Sequence, residues 1–208
     1  MLIAVDGPLA SGKGTIARAL AARYGLPHLD TGALYRAVAV AMMEAGEDPA
    51  DPDAAERAAR NLDPDAIDEA KIRTAGAGAA ASVVSAHPGV RAALLKVQKD
   101  FAARPGGAVL DGRDIGTVIA PDAEVKLFVT AGEEARAWRR RSELVGRGET
   151  IAYDQVLAQL RERDARDASR SDAPMTKAAD AVELDTTDMT IDEAVQAAID
   201  IVEQRRTR

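Results

Sequence analysis

The sequence predicts an α/β fold, a parallel sheet covered by helices on both faces. Three observations carry that prediction. Short apolar runs of β type alternate with helical patterns along most of the 208 residues, the arrangement that builds parallel sheets. The first run, "LIAV" at 2–5, feeds directly into a glycine-rich loop and then a helical stretch, the strand–loop–helix context of a phosphate-binding loop. Apolar residues make up 47% of the chain but aromatics only 3%, so a substantial core must be filled by Ala, Leu, Val and Ile.

The elements follow in order. Residues 2–5 end at Asp6-Gly7 and read as a buried first strand. A helical pattern runs from Gly14 to Tyr24, with Gly25 as its stop, since glycine closes helices in the left-handed conformation without penalty. Residues 33–45, "ALYRAVAVAMMEA", form a second helix closed by Gly46, with Thr31-Gly32 as a cap-like start. "DPADPDAAERAARNL" opens on Asp and Pro start signals and predicts a third helix. Residues 63–82 are polar, then rich in Ala and Gly; the stretch 75–81 reads equally as a hinge or as small residues packing a helix. Residues 89–103 place Val90, Leu94, Val97 and Phe101 on one face of an amphipathic helix. "GAVLD" at 107–111 and "EVKLFV" at 124–129 are further strands. A basic helix, "EEARAWRRRSEL", leads to the turn "GRGE"; residues 152–168 form another helix and "DAVELD" at 180–185 another strand. The closing helix, "TIDEAVQAAIDIVEQ", carries a capping-box pattern in Thr190 and Glu193.

Composition excludes several classes. The chain has 27 basic and 34 acidic residues, a formal charge of −7, which argues against broad nucleic-acid binding on a basic surface. It has no cysteine, hence no disulfide and no thiolate metal site, in keeping with a reducing cytosol. The apolar N-terminus "MLIAVDGP" is short and lacks a basic leader, so neither a signal peptide nor a membrane span is expected there. The expectation is a cytoplasmic protein without nucleic-acid or membrane partners.

The stretch "GPLASGKGT" at 7–15 carries the most chemistry. Gly7, Gly12 and Lys13 fit G-x-x-x-x-G-K-[ST], but Gly14 stands where a hydroxyl is usual and Thr15 follows one place late. G-x-x-x-x-G-K alone arises by chance in roughly one chain of this length in twenty; a strand before it and a helix after it make chance far less common. Successive backbone N–H groups in such a turn form a concavity for phosphate oxygens. The helix N-terminus adds partial positive charge, and Lys13 reaches the β- and γ-phosphates. The candidate nucleotide-binding set is Gly7, Pro8, Leu9, Ala10, Ser11, Gly12, Lys13, Gly14 and Thr15. Gly14 offers no hydroxyl to Mg²⁺ at the usual place.

Arginines at loop and strand-end positions point to a second anion site, because a guanidinium fork binds phosphate bidentately and stays charged. Arg36 in "LDTGALYR" lies about one turn into its helix and reads equally as a solvated arginine. In "VLDGRDIGT" a strand delivers Asp111, the chain turns at Gly112, and Arg113 and Asp114 emerge at the strand's carboxyl end, where open α/β sheets place ligands. Asp111 is a candidate carboxylate near Mg²⁺. "RERDARDASR" supplies Arg163, Asp167 and Arg170, with Arg163 and Asp167 on one helix face; alone, this reads as an exposed ion-paired helix. Arg136, Arg139, Arg140 and Arg141 precede a glycine-rich turn and form either a lid or a solvated basic helix. His28 and His87 read as incidental.

Taken together, "GPLASGKGT", "LDTGALYRA", "HPGVRAALL", "DGRDIGTVIAPDAEVKLFV" and "RERDARDASRSDAP" closely resemble the bacterial cytidylate kinases, a family of nucleoside monophosphate kinases. The pieces span nearly the whole chain in the family's order, and "DGRDIGTV" and "RDARDASR" are more specific to it than the phosphate loop. The resemblance implies a single P-loop kinase domain over 1–208 with a five-stranded parallel sheet, a small monophosphate-binding region at about 33–95 and a short lid at about 139–152. It implies an enzyme, a monomer, that transfers the γ-phosphoryl group of ATP, with Mg²⁺, to CMP or dCMP. Phosphates, waters and a carboxylate would hold the Mg²⁺, while Thr15 contacts phosphate. By the same resemblance Ser82, Arg91 and Asp114 read the cytosine, Arg36, Arg113 and Arg170 hold phosphates, Arg163 and Asp167 contact the sugar, and Thr31 belongs to the substrate site. Lys13, Arg113, Arg139, Arg141 and Arg170 would spread the charge that develops in transfer.

Members of this family usually carry a small β-sheet insert in the monophosphate-binding region. Between about Leu62 and Ala81, "DPDAIDEAKIRTAGAG" lacks the alternating apolar strands of such an insert. The insert is therefore expected to be shortened near 63–81, with a weakened preference for CMP over UMP. Two rivals stand beside this reading. One is another small P-loop kinase, of UMP, AMP or an acceptor such as shikimate. The other is a nucleotide-binding switch, which would more often place Ser or Thr directly after Lys13 and needs no arginine-lined second site.

Overall fold

A computed structural model describes residues 1–206. Its strands, β1 (Leu2–Asp6), β2 (His28–Asp30), β3 (Ala108–Gly112), β4 (Val125–Thr130) and β5 (Val182–Asp185), form one sheet in the order β2-β3-β1-β4-β5. β1 pairs in parallel with β3 and β4, and β4 in parallel with β5. Ile3, Ala4 and Val5 are all fully buried, which explains the unbroken apolar run: a central parallel strand is covered on both faces. Strand order reverses about β1, so its carboxyl end is the switch point at which open parallel sheets hold ligands. The sequence reading does not contain β2. Three residues are too few to show a period, and β2 is held at the sheet edge, where Val109 N–H donates to the Pro27 carbonyl at 2.9 Å.

The helices are α1 (Lys13–Tyr24), α2 (Thr31–Glu44), α3 (Pro52–Arg60), α4 (Glu69–Ile72), α5 (Ala75–Val84), α6 (Pro88–Ala102), α7 (Glu133–Gly146), α8 (Tyr153–Ser169) and α9 (Ile191–Arg206). None of the described helices is long and apolar enough to cross a membrane. The chain divides into two compact units, residues 1–29 with the chain from Lys99 onward, and Asp30–Gln98.

In the first unit α1 and α9 pack on one face of the sheet. Ile16, Ala17 and Leu20 of α1 and Ala194, Ala198 and Val202 of α9 share a core with Ile3, Val5, Val109, Leu127 and Val129. Full burial of Ile16 and Leu20 stabilises the unit by about 1.5–3 kcal/mol for each side chain. Gly25 ends α1 at φ 64. The capping box forms at α9: Glu193 Oε2 accepts from Thr190 N–H at 2.9 Å, and Glu193 N–H donates to Thr190 Oγ1 at 3.3 Å.

The second unit is built from α2 to α6. Leu34, Tyr35, Val38 and Met42 of α2 pack with Ala54 and Ala55 of α3, Ala81 and Val84 of α5, and Val90 and Leu94 of α6. Asp51 caps α3 through the N–H groups of Asp53 and Ala54, with Pro52 in the first position. The start of α2 differs from the sequence reading. Asp30, not Thr31-Gly32, is the cap, its Oδ1 accepting from Ala33 N–H at 3.2 Å. The ambiguous stretch holds a 3₁₀ turn (Pro64–Ala66), α4 and α5, and no strand. Residues 75–81 are helix, capped by Thr74 Oγ1 on Ala77 N–H at 3.1 Å. The buried face of α6 includes Arg91 and Gln98 beside Val90 and Leu94, so apolar periodicity alone understates what it buries.

Candidate functional site

The loop between β1 and α1 has the backbone a phosphate cradle requires. Gly7 lies at φ 149, and a Cβ there would stand 2.0 Å from the Val129 carbonyl oxygen, so only glycine fits. Ala10 lies at φ 60, a left-handed conformation that costs a non-glycine residue roughly 1–2 kcal/mol. Gly12 sits at φ 90 with open space around it. Backbone strain of this kind collects at ligand clamps. The Ser11 hydroxyl is fully buried and has no hydrogen-bond partner within the protein, an orphan that a phosphate oxygen can complete. Lys13 opens α1, and its Nζ donates to the Pro8 carbonyl at 3.2 Å, which holds the ammonium across the loop. Gly14 and Thr15 follow in the first turn.

Alternation along the strands sends two carboxylates to opposite faces of the sheet. Asp111 of β3 is buried, and its Oδ2 faces α1: a Cβ on Gly14 would stand 3.6 Å from it. Its Oδ1 is bonded to His28 Nε2 at 2.7 Å. His28, incidental in the sequence reading, thus braces the candidate metal carboxylate. Asp6 ends β1 and lies on the other face. Its Oδ1 accepts from Ile115 N–H and its Oδ2 from Gly116 N–H, both at 2.8 Å. Burial pushes the Asp6 carboxyl up to about 6 and Asp114 adds to the rise, against the two backbone hydrogen bonds and Lys13. Asp6 is absent from the sequence-predicted set, although an acid closing a strand as apolar as "LIAVD" is itself a signal.

The surroundings of Asp111 suit Mg²⁺ in a limited way. Among the described residues no group of three or more His, Cys, Asp or Glu side chains forms a cage. A Mg²⁺ ion carried on nucleotide phosphates needs only one or two carboxylates besides its waters, and a carboxylate facing the first turn of α1 meets that need.

Arg113 joins Arg163, Asp167 and Arg170 although 54 residues separate it from Asp167 in the chain. Asp167 is buried, with Arg113 Nε 2.8 Å from Oδ2, Arg170 3.4 Å from Oδ1 and Arg163 Nε 4.0 Å from Oδ2. Burial opposes the charge on Asp167 most strongly, but Arg113, Arg163 and Arg170 together outweigh it and hold the carboxyl below its ordinary range. This is no exposed ion-paired face. Three guanidiniums gathered at one carboxylate provide the planar, permanently charged donors that suit a phosphate group. Asp114, beside Arg113 in the chain, is also buried and starts a single π-helical turn, Ile115–Ile119.

The arginines of α7 divide. Arg136 is 5% exposed, so it belongs to no solvated basic face. Its Nε donates to the Ala131 carbonyl at 2.9 Å, Nη1 to the Leu9 carbonyl at 3.3 Å and Nη2 to Asp164 at 2.7 Å, which ties the phosphate loop to α7 and α8. Arg139 donates to Thr186 Oγ1 at 2.9 Å and to the Thr186 carbonyl, and Thr186 Oγ1 donates on to the Ser11 carbonyl at 2.9 Å. Arg141 Nε donates to the Ile151 carbonyl at 3.2 Å, with its guanidinium 5.7 Å from the Trp138 ring centre. Arg140 pairs with Glu143. Residues 139–146 continue α7, and the connection to α8 is the short segment 147–152.

In the second unit Arg36 pairs with Asp30 at 2.7 Å, and Thr31 and Ser82 are buried on α2 and α5. Arg91 is 7% exposed, its Nη1 3.4 Å from the Tyr35 hydroxyl and its guanidinium 5.9 Å from that ring centre. Desolvating a guanidinium costs several kcal/mol, so Arg91 on the core face of α6 needs a reason beyond packing.

Comparison with known proteins agrees with this geometry. Residues 3–204 match the family described as "Cytidylate kinase". The chain is 60% identical to the cytidylate kinase of Caulobacter vibrioides (strain NA1000 / CB15N) over 207 residues, covering 100% of this chain and 97% of that protein. It is also 60% identical to that of Xanthobacter autotrophicus (strain ATCC BAA-1158 / Py2), covering 99% of each. Among solved structures, a gluconokinase from Sinorhizobium meliloti 1021 superposes with a TM-score of 0.54 at 16% identity, over 99% of this chain and 94% of that one, a likeness of fold. The matched family, the full-length relatives and the strained loop at the sheet's switch point agree, and the chain belongs to the cytidylate kinase family.

Proposed function

We infer that the protein transfers the γ-phosphoryl group of ATP to CMP or dCMP, giving CDP or dCDP and ADP, in the pyrimidine nucleotide metabolism of the cytosol, and that it acts as a monomer. The carrying observation is the cluster of Arg113, Arg163 and Arg170 on buried Asp167, in the same unit as the strained loop at 7–15. A donor triphosphate needs one anion site, and an acceptor that is itself a phosphate needs another. Family membership supplies cytosine as the base.

Transfer of this kind depends on positioning and charge stabilisation more than on covalent help. An oxygen of the CMP phosphate attacks the γ-phosphorus in line, the bond to the β–γ bridging oxygen breaks, and ADP leaves. No side chain acts as nucleophile, and the attacking oxygen needs no general base. The loop from Gly7 to Thr15 cradles the donor phosphates, and Lys13 spreads the charge that develops on them. Arg113 and Arg170 hold the acceptor phosphate against its repulsion from the donor, while Arg163 and Asp167 meet the sugar. Ser82, Arg91 and Asp114 read the cytosine, with Thr31 and Arg36 completing the substrate contacts of a monophosphate-binding subdomain at about 33–95. Residues 139–152 act as the lid, with Arg139 and Arg141 serving the transferred group and water kept out. Asp111 would hold the Mg²⁺ that accompanies the donor phosphates, and the ion would supply charge neutralisation there.

The lack of strands at 63–84 does not oppose this reading, because relatives named cytidylate kinase align with this chain over 97–99% of their own length. The test is ADP formation from ATP and Mg²⁺ with CMP, dCMP, UMP, AMP and shikimate offered singly. Turnover with CMP and dCMP is expected. Faster turnover with AMP or shikimate, or none that depends on an acceptor, overturns the assignment. The UMP rate measures how far the short insert relaxes base choice.

A further inference from the structure

Asp6 has no part in the chemistry above, yet the structure holds it in a particular way. Its two carboxylate oxygens grip the N–H groups of Ile115 and Gly116, both at 2.8 Å. These are the two amides that directly follow Asp114. On its own carbonyl Asp114 accepts from Val118 N–H at 2.9 Å and Ile119 N–H at 3.2 Å. The backbone around Asp114 is therefore fixed by Asp6 and by the π-helical turn together. It needs to be, because Asp114 lies at φ −142, ψ 24, outside the well-populated helical and extended regions. The fit beneath the turn is close: a Cβ on Gly116 would stand 3.2 Å from Lys126 Cδ and 3.4 Å from Asp6 Oδ2. The Lys126 ammonium is itself engaged by Asp180 at 2.8 and 2.9 Å.

We propose that Asp6 is a positioning residue for base recognition: by gripping the Ile115 and Gly116 amides it sets the backbone of Asp114 and aims that carboxylate at the cytosine amino group. It acts through Asp114 and touches neither substrate. The inference rests on the reading of Asp114 as a base-reading residue.

The experiment is steady-state kinetics of Asp6→Asn and Asp114→Ala, varying CMP, UMP and ATP separately. Asparagine keeps one acceptor but turns an NH₂ toward the other amide, so the grip is lost while the volume is kept. Loss of a hydrogen bond to a charged group predicts a CMP KM raised about tenfold or more in Asp6→Asn, with the ATP KM within about twofold of wild type. The CMP-to-UMP ratio of kcat/KM should fall toward that of Asp114→Ala. A purely structural role for Asp6 would lower the melting temperature and disturb both KM values alike, leaving that ratio unchanged, and this result overturns the proposal. Should Asp6→Asn fail to fold, Asp6→Ser, with a shorter single acceptor, is read by the same split. If Asp114→Ala raises the CMP KM and the folded Asp6 variant does not, the inference fails alone. If Asp114→Ala leaves the CMP KM unchanged, the base-reading assignment fails and takes the inference with it.

Discussion

Replacing Asp167 by asparagine removes one negative charge from beneath three guanidiniums and changes little else in shape. Its carboxylate lies 2.8, 3.4 and 4.0 Å from nitrogens of Arg113, Arg170 and Arg163. At an effective dielectric of about 20, one such pair near 4 Å attracts by about 4 kcal/mol. Desolvation offsets much of the total, and breaking a buried pair from one side costs about 3–5 kcal/mol. Asparagine retains one acceptor, so the lower end, about 3 kcal/mol, is expected. In a chain of this size that lowers the melting temperature by roughly 6–12 °C. The Asp167 carboxyl is held below its ordinary 3.8, so its contribution is full above that pH and is lost as pH falls through the folded value. Wild-type and variant stabilities should converge in acid. The assay is thermal unfolding at neutral and acid pH, with and without sulfate. Loss of the Asp167 charge makes the site around the three guanidiniums more attractive to anions, so sulfate should raise the variant's melting temperature more than the wild type's. A loss below about 2 °C, or equal protection by sulfate, would mean that the Asp167 charge does not hold the three arginines together.

Lys13→Ala should lower kcat by at least about 10² with the fold intact; near wild-type turnover would remove the phosphate-loop assignment. Gly7→Ala drives a Cβ toward the Val129 carbonyl and should abolish the protection that ATP gives in a thermal shift. His28→Ala frees Asp111 from its 2.7 Å partner and should raise the Mg²⁺ concentration needed for half-maximal ATP binding by calorimetry, with no change in Mg²⁺-free binding; an unaltered Mg²⁺ dependence contradicts the bracing role. The Asp6 carboxyl is raised from 3.8 to about 6, so the folded state holds this proton more firmly than the unfolded chain. Its ionised form at neutral pH costs about 3 kcal/mol, and the cost fades as pH falls from 6 toward 3.8. Urea unfolding at a series of pH values should therefore show wild type gaining on Asp6→Asn with acidification; a flat difference would contradict the shift.

Much of the architecture was legible because it is written in local signals. The buried run at 2–5, Gly25 at the end of α1 and the Thr190–Glu193 box each state their structure within a few residues. The β2 strand could not be read, since His28–Asp30 has no period to show and is held by its neighbour in the sheet. The phosphate loop is contiguous, so its pattern was visible. The partners of Arg136 and Arg139 were not, because Leu9 and Thr186 lie far from them in the chain. Likewise the pairing of Arg163 with Asp167 reads as an ordinary helix face from its spacing alone, because Arg113, which follows β3 and shares that carboxylate, lies far away in the chain.

The division of labour between Asp6 and Asp111 follows from the period of two along a strand. Val5 stands opposite Asp111 in the register, and Asp6 stands opposite Gly112. The acid of β3 therefore faces α1 and the donor loop, whereas the acid of β1 faces the turn that carries Asp114. A shift of β3 by one residue would exchange these faces. Gly112 would then look toward Gly14, leaving no carboxylate for the metal, and Asp111 would join Asp6 on the opposite face as a second buried acid. Two carboxylates buried together cannot both remain ionised at low cost, so one would take up a proton and either the grip on Ile115 and Gly116 or the metal ligand would be lost. Insertion of one alanine between Gly107 and Ala108 tests this: if the rest of the strand keeps its pairing through a bulge, nucleotide binding and its Mg²⁺ dependence survive, and if the register slips, both fail together.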